Sequence, residues 1–155
     1  MNLREIAGDA DGSGLHVGVA VSSFNAIVSD ALLHGALEAL ESMGVEEVTV
    51  VRVPGALELP VTALHLAGKG CHAVVAVGAV IQGETDHYHH VATQTAAGIK
   101  GVSLSAGIPV TNGVLTVTAL DHATERSRPG PANKGYEAAE AAVRAATALR
   151  DLGAR

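Results

Sequence analysis

The stretch AVVAVGAVI at residues 73–81 is nine consecutive apolar or glycine residues, most of them valine or alanine. A run of this length is typical of a strand buried on both faces, as in a parallel sheet with helices above and below it. A glycine-containing loop at 82–85 follows, and small residues at helical spacing from about 88 to 99 predict a helix. The stretch therefore predicts one strand–helix unit of an α/β sheet.

The same unit repeats earlier in the chain. A valine-rich run at 15–21 precedes apolar residues at helical spacing over 26–43, and a second run at 48–53 precedes a helical pattern over 57–67. Pro60 fits this helix only in its first turn, where its missing N–H is not needed. Two strand–helix units therefore precede the central one.

The last third of the chain supplies a fourth strand and two helices. The strand is predicted near 109–117, and Thr118 with Asp121 matches a capping box that would open a short helix ending at Arg126. After a Pro-Gly-Pro break, a final helix is expected with one apolar face, made of Ala142, Ala145, Ala146, Leu149 and Leu152. Strands alternating with helices predict an α/β fold of three layers, a four-stranded parallel sheet with helices on both faces.

Composition limits the domain organisation and the function classes. The chain has 155 residues, 48% hydrophobic and 17% charged, with a formal net charge of −6. These values are atypical of nucleic-acid-binding proteins and of membrane spans, so neither kind of partner is expected. A lone Cys71 forms no internal disulfide, and residues 1–14 lack the apolar stretch of a signal peptide, which predicts a cytoplasmic protein. We expect residues 1–14 to be a flexible segment and 15–155 a single domain.

A ligand site is expected at one edge of this sheet, because ligands of parallel sheets bind beyond the carboxyl ends of the strands. Three loops follow such ends, at 22–25, 54–58 and 81–90, and they contain two of the three aromatic residues and a cluster of histidine and acidic residues. Asn25 is also in position to cap the helix that begins at residue 26.

The histidines of the sequence DHYHH, residues 86–90, favour proton transfer over metal binding. Only His87 and His90 have the helical spacing that two metal ligands need, and no further Cys or His motif completes a tetrahedral site. No metal site is therefore predicted. A single imidazole can both take and give a proton near neutral pH, so we expect one histidine to act as an acid or base.

Three other features each allow two interpretations from the residues alone. The loop Gly83-Glu84-Thr85 either presents N–H groups to an anion or is an ordinary glycine turn. Phe24 either stacks on a planar ligand or packs under a loop. Arg126 and Lys134 either bind an anion or belong to solvated helix ends.

Taken in order, several segments resemble one family, the lumazine synthases. The resemblance runs over about 130 residues and rests on SSFN (22–25) with LLHGALEAL (32–40), VRVPGALELP (51–60), VGAVIQGETDHY (77–88), GVLTV (113–117), and HATERS (122–127) with NKGYEAAEAA (133–142). It implies a flavodoxin-like sheet and an enzyme of riboflavin biosynthesis. The implied reaction condenses 5-amino-6-(D-ribitylamino)uracil with 3,4-dihydroxy-2-butanone 4-phosphate to 6,7-dimethyl-8-ribityllumazine, phosphate and water, without a metal or organic cofactor.

The resemblance also implies roles for individual residues. His87 would be the proton shuttle. The heterocyclic substrate would be bound by Phe24, Asn25, Ala56, Leu57, Glu58, Ile81, Asn112 and Lys134, and the phosphate by Gly83, Glu84, Thr85 and Arg126. Arg126 and Lys134 would come from a neighbouring subunit, so the site would be complete only in a homo-oligomer. The family implies a pentamer, and the length of the link before the last helix favours further assembly into a 60-subunit shell.

The chain departs from the family pattern at three places near this site. Gln82 replaces a basic residue, Asn112 stands where many members carry an aromatic, and His89 with His90 replaces an acidic-aromatic pair. These departures leave open a second function, a non-catalytic shell protein that binds riboflavin or a similar flavin on the same fold. A third is a phosphate-binding protein without preference for the ribityl-pyrimidine.

Overall fold

A computed structural model describes residues 1–153 of the protein. The strands are β1 (His16–Ser22), β2 (Glu47–Val53), β3 (Ala73–Ile81) and β4 (Val110–Val117), and they form one parallel sheet in the order β2-β1-β3-β4. The α-helices are α1 (Ala26–Ser42), α2 (Leu59–Gly68), α3 (His87–Ala106), α4 (Leu120–Arg126) and α5 (Lys134–Leu152). The predicted α/β fold is confirmed.

The central strand β3 explains why the sheet is covered on both faces. Side chains alternate along a strand, so Val75 and Val77 belong to the core formed with α1 and α5, whereas Val74 and Ala76 belong to the core formed with α2 and α3. All four are fully buried. Two hydrophobic cores, one on each face, therefore hold the three layers together.

Two predicted helices have different bounds in the structure. The pattern over 57–67 divides into a 3-10 turn at Ala56–Glu58 and helix α2, and Pro60 lies in the first turn of α2 as predicted. Helix α3 is longer than the predicted 88–99. It ends only at Gly107, which has a φ of 69° and donates its N–H to the carbonyl of Ser103.

The structure confirms Asn25 as the N-cap residue of its helix, without a side-chain bond, and contradicts the cap predicted at Thr118. Helix α4 begins one residue later than the capping box requires, so Ala119 and not Thr118 occupies the N-cap position, and no side chain caps this helix. Asn25 is the N-cap residue of α1, but only its backbone carbonyl takes part, accepting from the N–H groups of Val28 and Ser29 at 3.0 Å. Its φ of 55° departs from the extended backbone in which a side chain normally caps.

The buried face of α5 differs in part from the predicted one. Ala142 and Ala146 are buried as predicted, together with Ala139 and Val143, but Leu152 is 67% exposed. With roughly 3.6 residues per turn, Leu152 projects well away from the face that these four residues define. On the exposed side of α5, Glu140 and Arg144 form an ion pair with 3.2 Å between Oε1 and Nε.

The residues before β1 form no helix or strand, yet they are hydrogen-bonded to the helices. The N–H of Asp9 donates to the Thr147 hydroxyl at 3.0 Å, and the N–H of Gly12 donates to the carbonyl of Met43 at 2.7 Å. The division of the chain at residue 14 stays a prediction, and residues 154–155 of the predicted domain lie outside the described part. Within residues 1–153, no helix combines the length and apolar character that crossing a bilayer requires.

Candidate active site

The loop after β1 is joined to the end of β2 at the carboxyl edge of the sheet. The N–H of Ser23 donates to the carbonyl of Val53 at 2.8 Å, and the N–H of Phe24 donates to the carbonyl of Pro54 at 3.1 Å. These bonds fix the backbone of Phe24, whereas its side chain is 70% exposed. The ring therefore does not pack under a loop in the subunit, and its face is free for another planar group.

Two polar atoms of the same loop are buried without a protein partner among residues 1–153. They are the side-chain amide nitrogen of Asn25 and the hydroxyl oxygen of Ser22. A buried donor without a partner costs free energy unless another group satisfies it. The Asn25 amide nitrogen is thus an unsatisfied buried donor within the part of the chain that the structure describes.

The loop after β2 presents a mixed apolar and acidic surface. Ala56 is buried, whereas Leu57 and Glu58 are exposed beside it in the 3-10 turn. The carboxylate of Glu58 folds back toward Gly55, and its Oε2 lies 3.1 Å from where a β-carbon at residue 55 would be. The turn therefore places the Glu58 carboxylate next to the backbone that follows β2.

The loop after β3 has the features of an anion-binding loop. Ile81 packs against the core at the strand end, and Gly83, Glu84 and Thr85 are exposed. Within the described chain, the backbone N–H groups of these three residues donate to no protein acceptor. Helix α3 begins two residues later, at His87, and the positive end of its dipole faces this loop.

His87 is the first residue of α3 and is exposed. Its backbone N–H donates to the hydroxyl of Thr85 at 3.4 Å. This bond ties the start of α3, and with it the backbone of His87, to the loop after β3. His89 does not extend this arrangement, because its ring lies edge-on against Tyr88 with 5.1 Å between the ring centroids.

The remaining predicted site residues lie in a different place. An open groove of about 540 Å³ runs along the free edge of β4 and is lined by Asn112, Arg126 and Lys134 together with residues of β4 and α5. Phe24, Glu58 and His87 are not part of its lining. One subunit therefore divides the predicted site residues into a carboxyl-edge group and a β4-groove group.

The three predicted site residues of the groove already have partners within the subunit. The Asn112 side-chain oxygen accepts from the N–H of Val114 at 2.9 Å, and Arg126 donates to the carbonyl of His122 at 3.1 Å. The ammonium of Lys134 lies 2.8 Å from a carboxylate oxygen of Glu137. Lys134 and Glu137 are half-exposed, so this pair contributes little stability, and the ammonium can exchange it for a ligand.

Two residues of the groove region were missed by the sequence analysis. Glu137 lines the groove and pairs with Lys134, and its spacing of three residues on a predicted helix was a usable signal. Asn133 is 2% exposed and caps α5, as its side chain accepts from the N–H groups of Gly135 and Tyr136. An asparagine just before an expected helix start is the signal that would have found it.

The pKa values of Cys71 and Asp11 are shifted, and neither residue belongs to the predicted site. Burial raises the pKa of the Cys71 thiol, and the negative charge of Glu47 raises it further. Hydrogen bonds from Ser13 lower the pKa of the exposed Asp11. Among residues 1–153, no group of three or more His, Cys, Asp or Glu side chains is arranged to hold a metal ion.

Comparison with known proteins places this architecture in a family. The family model described as 6,7-dimethyl-8-ribityllumazine synthase matches residues 14–150. The chain is 43% identical over 154 residues to the 6,7-dimethyl-8-ribityllumazine synthase of Pyrococcus furiosus, covering 99% of this chain and 97% of the relative. It is 44% identical over 154 residues to the protein of the same name from Thermococcus gammatolerans, covering 98% and 99%.

The fold is thus that of a three-layer α/β protein with loops gathered at the carboxyl edge of a parallel sheet. The chain belongs to the 6,7-dimethyl-8-ribityllumazine synthase family.

Proposed function

We propose that the protein is an enzyme of riboflavin biosynthesis that condenses 5-amino-6-(D-ribitylamino)uracil with 3,4-dihydroxy-2-butanone 4-phosphate. The products are 6,7-dimethyl-8-ribityllumazine, inorganic phosphate and water. Family membership over residues 14–150 and relatives at 43% and 44% identity support this assignment.

The proposed location of the site rests on one observation: the predicted site residues of one subunit form two separate groups. Phe24 and Asn25 follow β1 and His87 begins α3, all at the carboxyl edge, whereas Arg126 and Lys134 line the β4 groove. A homo-oligomer that brings the groove of one subunit to the carboxyl edge of the next would join the two groups into one site. We assign the protein a homopentamer of this kind, with a 60-subunit shell as its further assembly.

The carboxyl-edge group fits the heterocyclic substrate. The exposed ring of Phe24 would stack on the pyrimidine, and Asn25, next to it in the chain, would help to hold the same ring. The ribityl chain would lie against Ala56, Leu57 and Glu58, where the Glu58 carboxylate can accept from hydroxyl groups. Ile81 would contribute apolar contact, and Lys134 and Asn112 would approach from the adjoining subunit.

The loop after β3 fits the phosphate of the second substrate. Three backbone N–H groups without protein acceptors, at Gly83, Glu84 and Thr85, would donate to the phosphate oxygens at the positive end of α3. Arg126 of the adjoining subunit would add a charged contact. Gln82 supplies no positive charge here, so Arg126 would carry most of the charge neutralisation.

The reaction then requires proximity and proton transfer. The substrate amine attacks the ketone, and loss of water gives an imine. A C–H proton is then removed as the phosphate departs, which leaves an enol that tautomerises to a new ketone. The second nitrogen attacks this carbonyl, and loss of a second water completes the ring. His87 is the first residue of α3, next to the phosphate loop. An imidazole at this position can accept the proton in one step and return it in another. Holding both substrates together supplies the rest of the acceleration.

The lone thiol of Cys71 favours a reducing compartment, and we assign the protein to the cytoplasm.

The experiment combines purified protein with both substrates and follows lumazine fluorescence together with phosphate release. Equal amounts of both products, above the uncatalysed rate, are expected. His87→Ala should lower turnover by about 10²- to 10⁴-fold at most. The matched control, His34→Ala, makes the same change on an exposed residue of α1 and should leave turnover unchanged.

Background-only product from a correctly assembled oligomer would contradict the proposal. Tight riboflavin binding in that case would indicate the non-catalytic shell protein, and phosphate binding alone would indicate a general phosphate-binding protein.

A further inference from the structure

One buried side chain joins the two helix ends that carry the cations of the groove. Arg126 is the last residue of α4, and Lys134 is the first residue of α5. Asn133 lies between them in sequence and is 2% exposed. Its backbone N–H also donates to the carbonyl of Gly130 at 3.0 Å, which closes the connecting loop.

The Asn133 side chain makes four hydrogen bonds, the full number that its two donors and two acceptor lone pairs allow. Its oxygen accepts from the N–H groups of Gly135 at 2.8 Å and Tyr136 at 3.2 Å, which fixes the first turn of α5. Its nitrogen donates to the carbonyl of Ser127 at 2.9 Å and to the carbonyl of Ala31 at 3.1 Å. Ser127 directly follows Arg126, so a single amide ties both helix ends to each other and to α1.

Glycines on α1 and α5 make room for this amide. A β-carbon at Gly35 would overlap the Asn133 side chain, and a β-carbon at Gly135 would overlap the carbonyl of Leu32. Because the interior is close-packed, the amide cannot shift without moving α1 or α5. The relative position of the Arg126 and Lys134 backbones is thus set by one rigid junction.

We infer that Asn133 is a positioning residue for the reaction: it sets the spacing of Arg126 and Lys134 with which the groove engages the phosphate and the heterocycle. The inference rests on the proposed function. Asn133 is too deeply buried to contact substrate itself, so it acts only through the two cations. A displacement of about 1 Å at a binding group can cost on the order of 10²-fold in rate, which makes such a junction consequential.

The first variant is Asn133→Asp, which keeps the size and the cap acceptor but cannot donate to Ser127 or Ala31. Measured well below its unfolding temperature, it should show a roughly 10- to 100-fold loss in kcat/KM, mostly as a higher KM for the phosphate-bearing substrate. Asn2→Asp makes the same chemical change on an exposed residue and should have wild-type kinetics. If Asn133→Asp does not fold, Gly35→Ala is the second variant, because the added methyl displaces the same amide from α1. Alanine is a better helix former than glycine, which offsets part of the stability that this substitution loses.

The decisive readout is coupling to Arg126. In an Arg126→Ala background, Asn133→Asp should change the KM for the phosphate-bearing substrate by less than about threefold, because its effect passes through the missing guanidinium. A purely structural cap would instead lower the unfolding temperature and leave KM unchanged in the folded protein. That result, or full additivity with Arg126→Ala, would overturn the inference.

Failure of the proposed function gives a different pattern. A wild-type protein that forms no lumazine refutes the synthase assignment, and the junction is then tested by titrating inorganic phosphate into the wild type and Asn133→Asp. Weaker phosphate binding by Asn133→Asp would support the positioning role, and equal binding would overturn it.

Discussion

The hydroxyl of Ser22, at the end of β1, occupies the space that a β-carbon at Gly78 on β3 would need. Ser22 is buried and begins the SSFN segment, so this contact links the middle of the central strand to the loop that carries Phe24 and Asn25. The glycine within the otherwise apolar β3 is therefore a packing requirement of the carboxyl edge.

The first prediction concerns this contact. Gly78→Ala should lower the free energy of unfolding by about 1–3 kcal/mol, because the added methyl overpacks the β1–β3 interface. Adding Ser22→Ala should recover part of the loss by removing the hydroxyl. Gly101→Ala, on α3 where a β-carbon meets open space, is the control and should be neutral or stabilising in urea denaturation. Equal effects at residues 78 and 101 would contradict the packing argument.

The second prediction tests whether the active site is shared between subunits. His87→Ala and Arg126→Ala each remove one of the two groups that the subunit keeps apart. Co-assembly of equal amounts, assayed below KM, should restore activity toward roughly one site in four, because random neighbours recombine intact halves at that frequency. Mixing without subunit exchange is the control. Activity no greater than the average of the two parents would place the whole site within one subunit.

The third prediction compares two buried threonines on helices. Thr147 accepts from the N–H of Asp9 and donates to backbone carbonyls, whereas the Thr95 hydroxyl has no partner among residues 1–153. Thr147→Val should cost about 1–3 kcal/mol because the Asp9 amide loses its acceptor. Thr95→Val should be neutral or stabilising, since it removes an unsatisfied hydroxyl. Chemical denaturation of both variants measures the difference, and a reversed order would refute it.

The fourth prediction concerns pH. The folded pKa of Cys71 lies above its ordinary value of 9.0, because burial and then the charge of Glu47 disfavour the thiolate. The resulting stability is therefore complete below pH 9.0 and is lost as pH rises through the folded pKa. Unfolding midpoints at rising alkaline pH should fall more for the wild type than for Cys71→Ala. Iodoacetamide should label native Cys71 far more slowly than the urea-unfolded chain, and equal labelling rates would contradict the burial.

The fifth prediction addresses Asn112, which lines the β4 groove and departs from the aromatic that the family resemblance implies there. Asn112→Tyr should add a stacking face in the groove and lower the KM for the pyrimidine substrate by up to about tenfold, as an aromatic contact of 0.5–1.5 kcal/mol allows. Asn112→Tyr also removes the hydrogen bond that the Val114 N–H donates to the Asn112 side chain. Asn112→Ala removes the same bond without adding a ring and is therefore the control. A KM no lower than that of Asn112→Ala would exclude a stacking role at this position.

The sheet could be predicted from the sequence because buried parallel strands are short apolar runs. The run at 73–81 matches β3 residue for residue, and Pro60 correctly marked a first helical turn. The sequence could not show that the side chains of Thr118 and Asn25 make no capping bond. A shift of the helix start by one residue, or a change in φ at the cap residue, removes such a bond while the helix remains.

The candidate site was predictable in a different way. The alternation of strands and helices pointed to the carboxyl edge and its three loops. Nothing local indicated that Arg126 and Lys134 line a groove without Phe24 or His87, because that depends on how α4 and α5 pack beside β4. The cap by Asn133 could have been predicted from its place before the last helix, but its bonds to the carbonyls of Ala31 and Ser127 depend on how α1 and the end of α4 pack against that helix.

Asn25 combines a left-handed backbone, a helix N-cap position without a side-chain cap, and a buried amide nitrogen that has no partner within residues 1–153. Glycine would adopt this φ freely and would bury no amide. In the proposed site, stability and substrate binding would therefore favour different residues at position 25. Selection for a more heat-resistant chain and selection for a tighter substrate complex would favour different residues there, a stability–activity trade-off confined to one side chain.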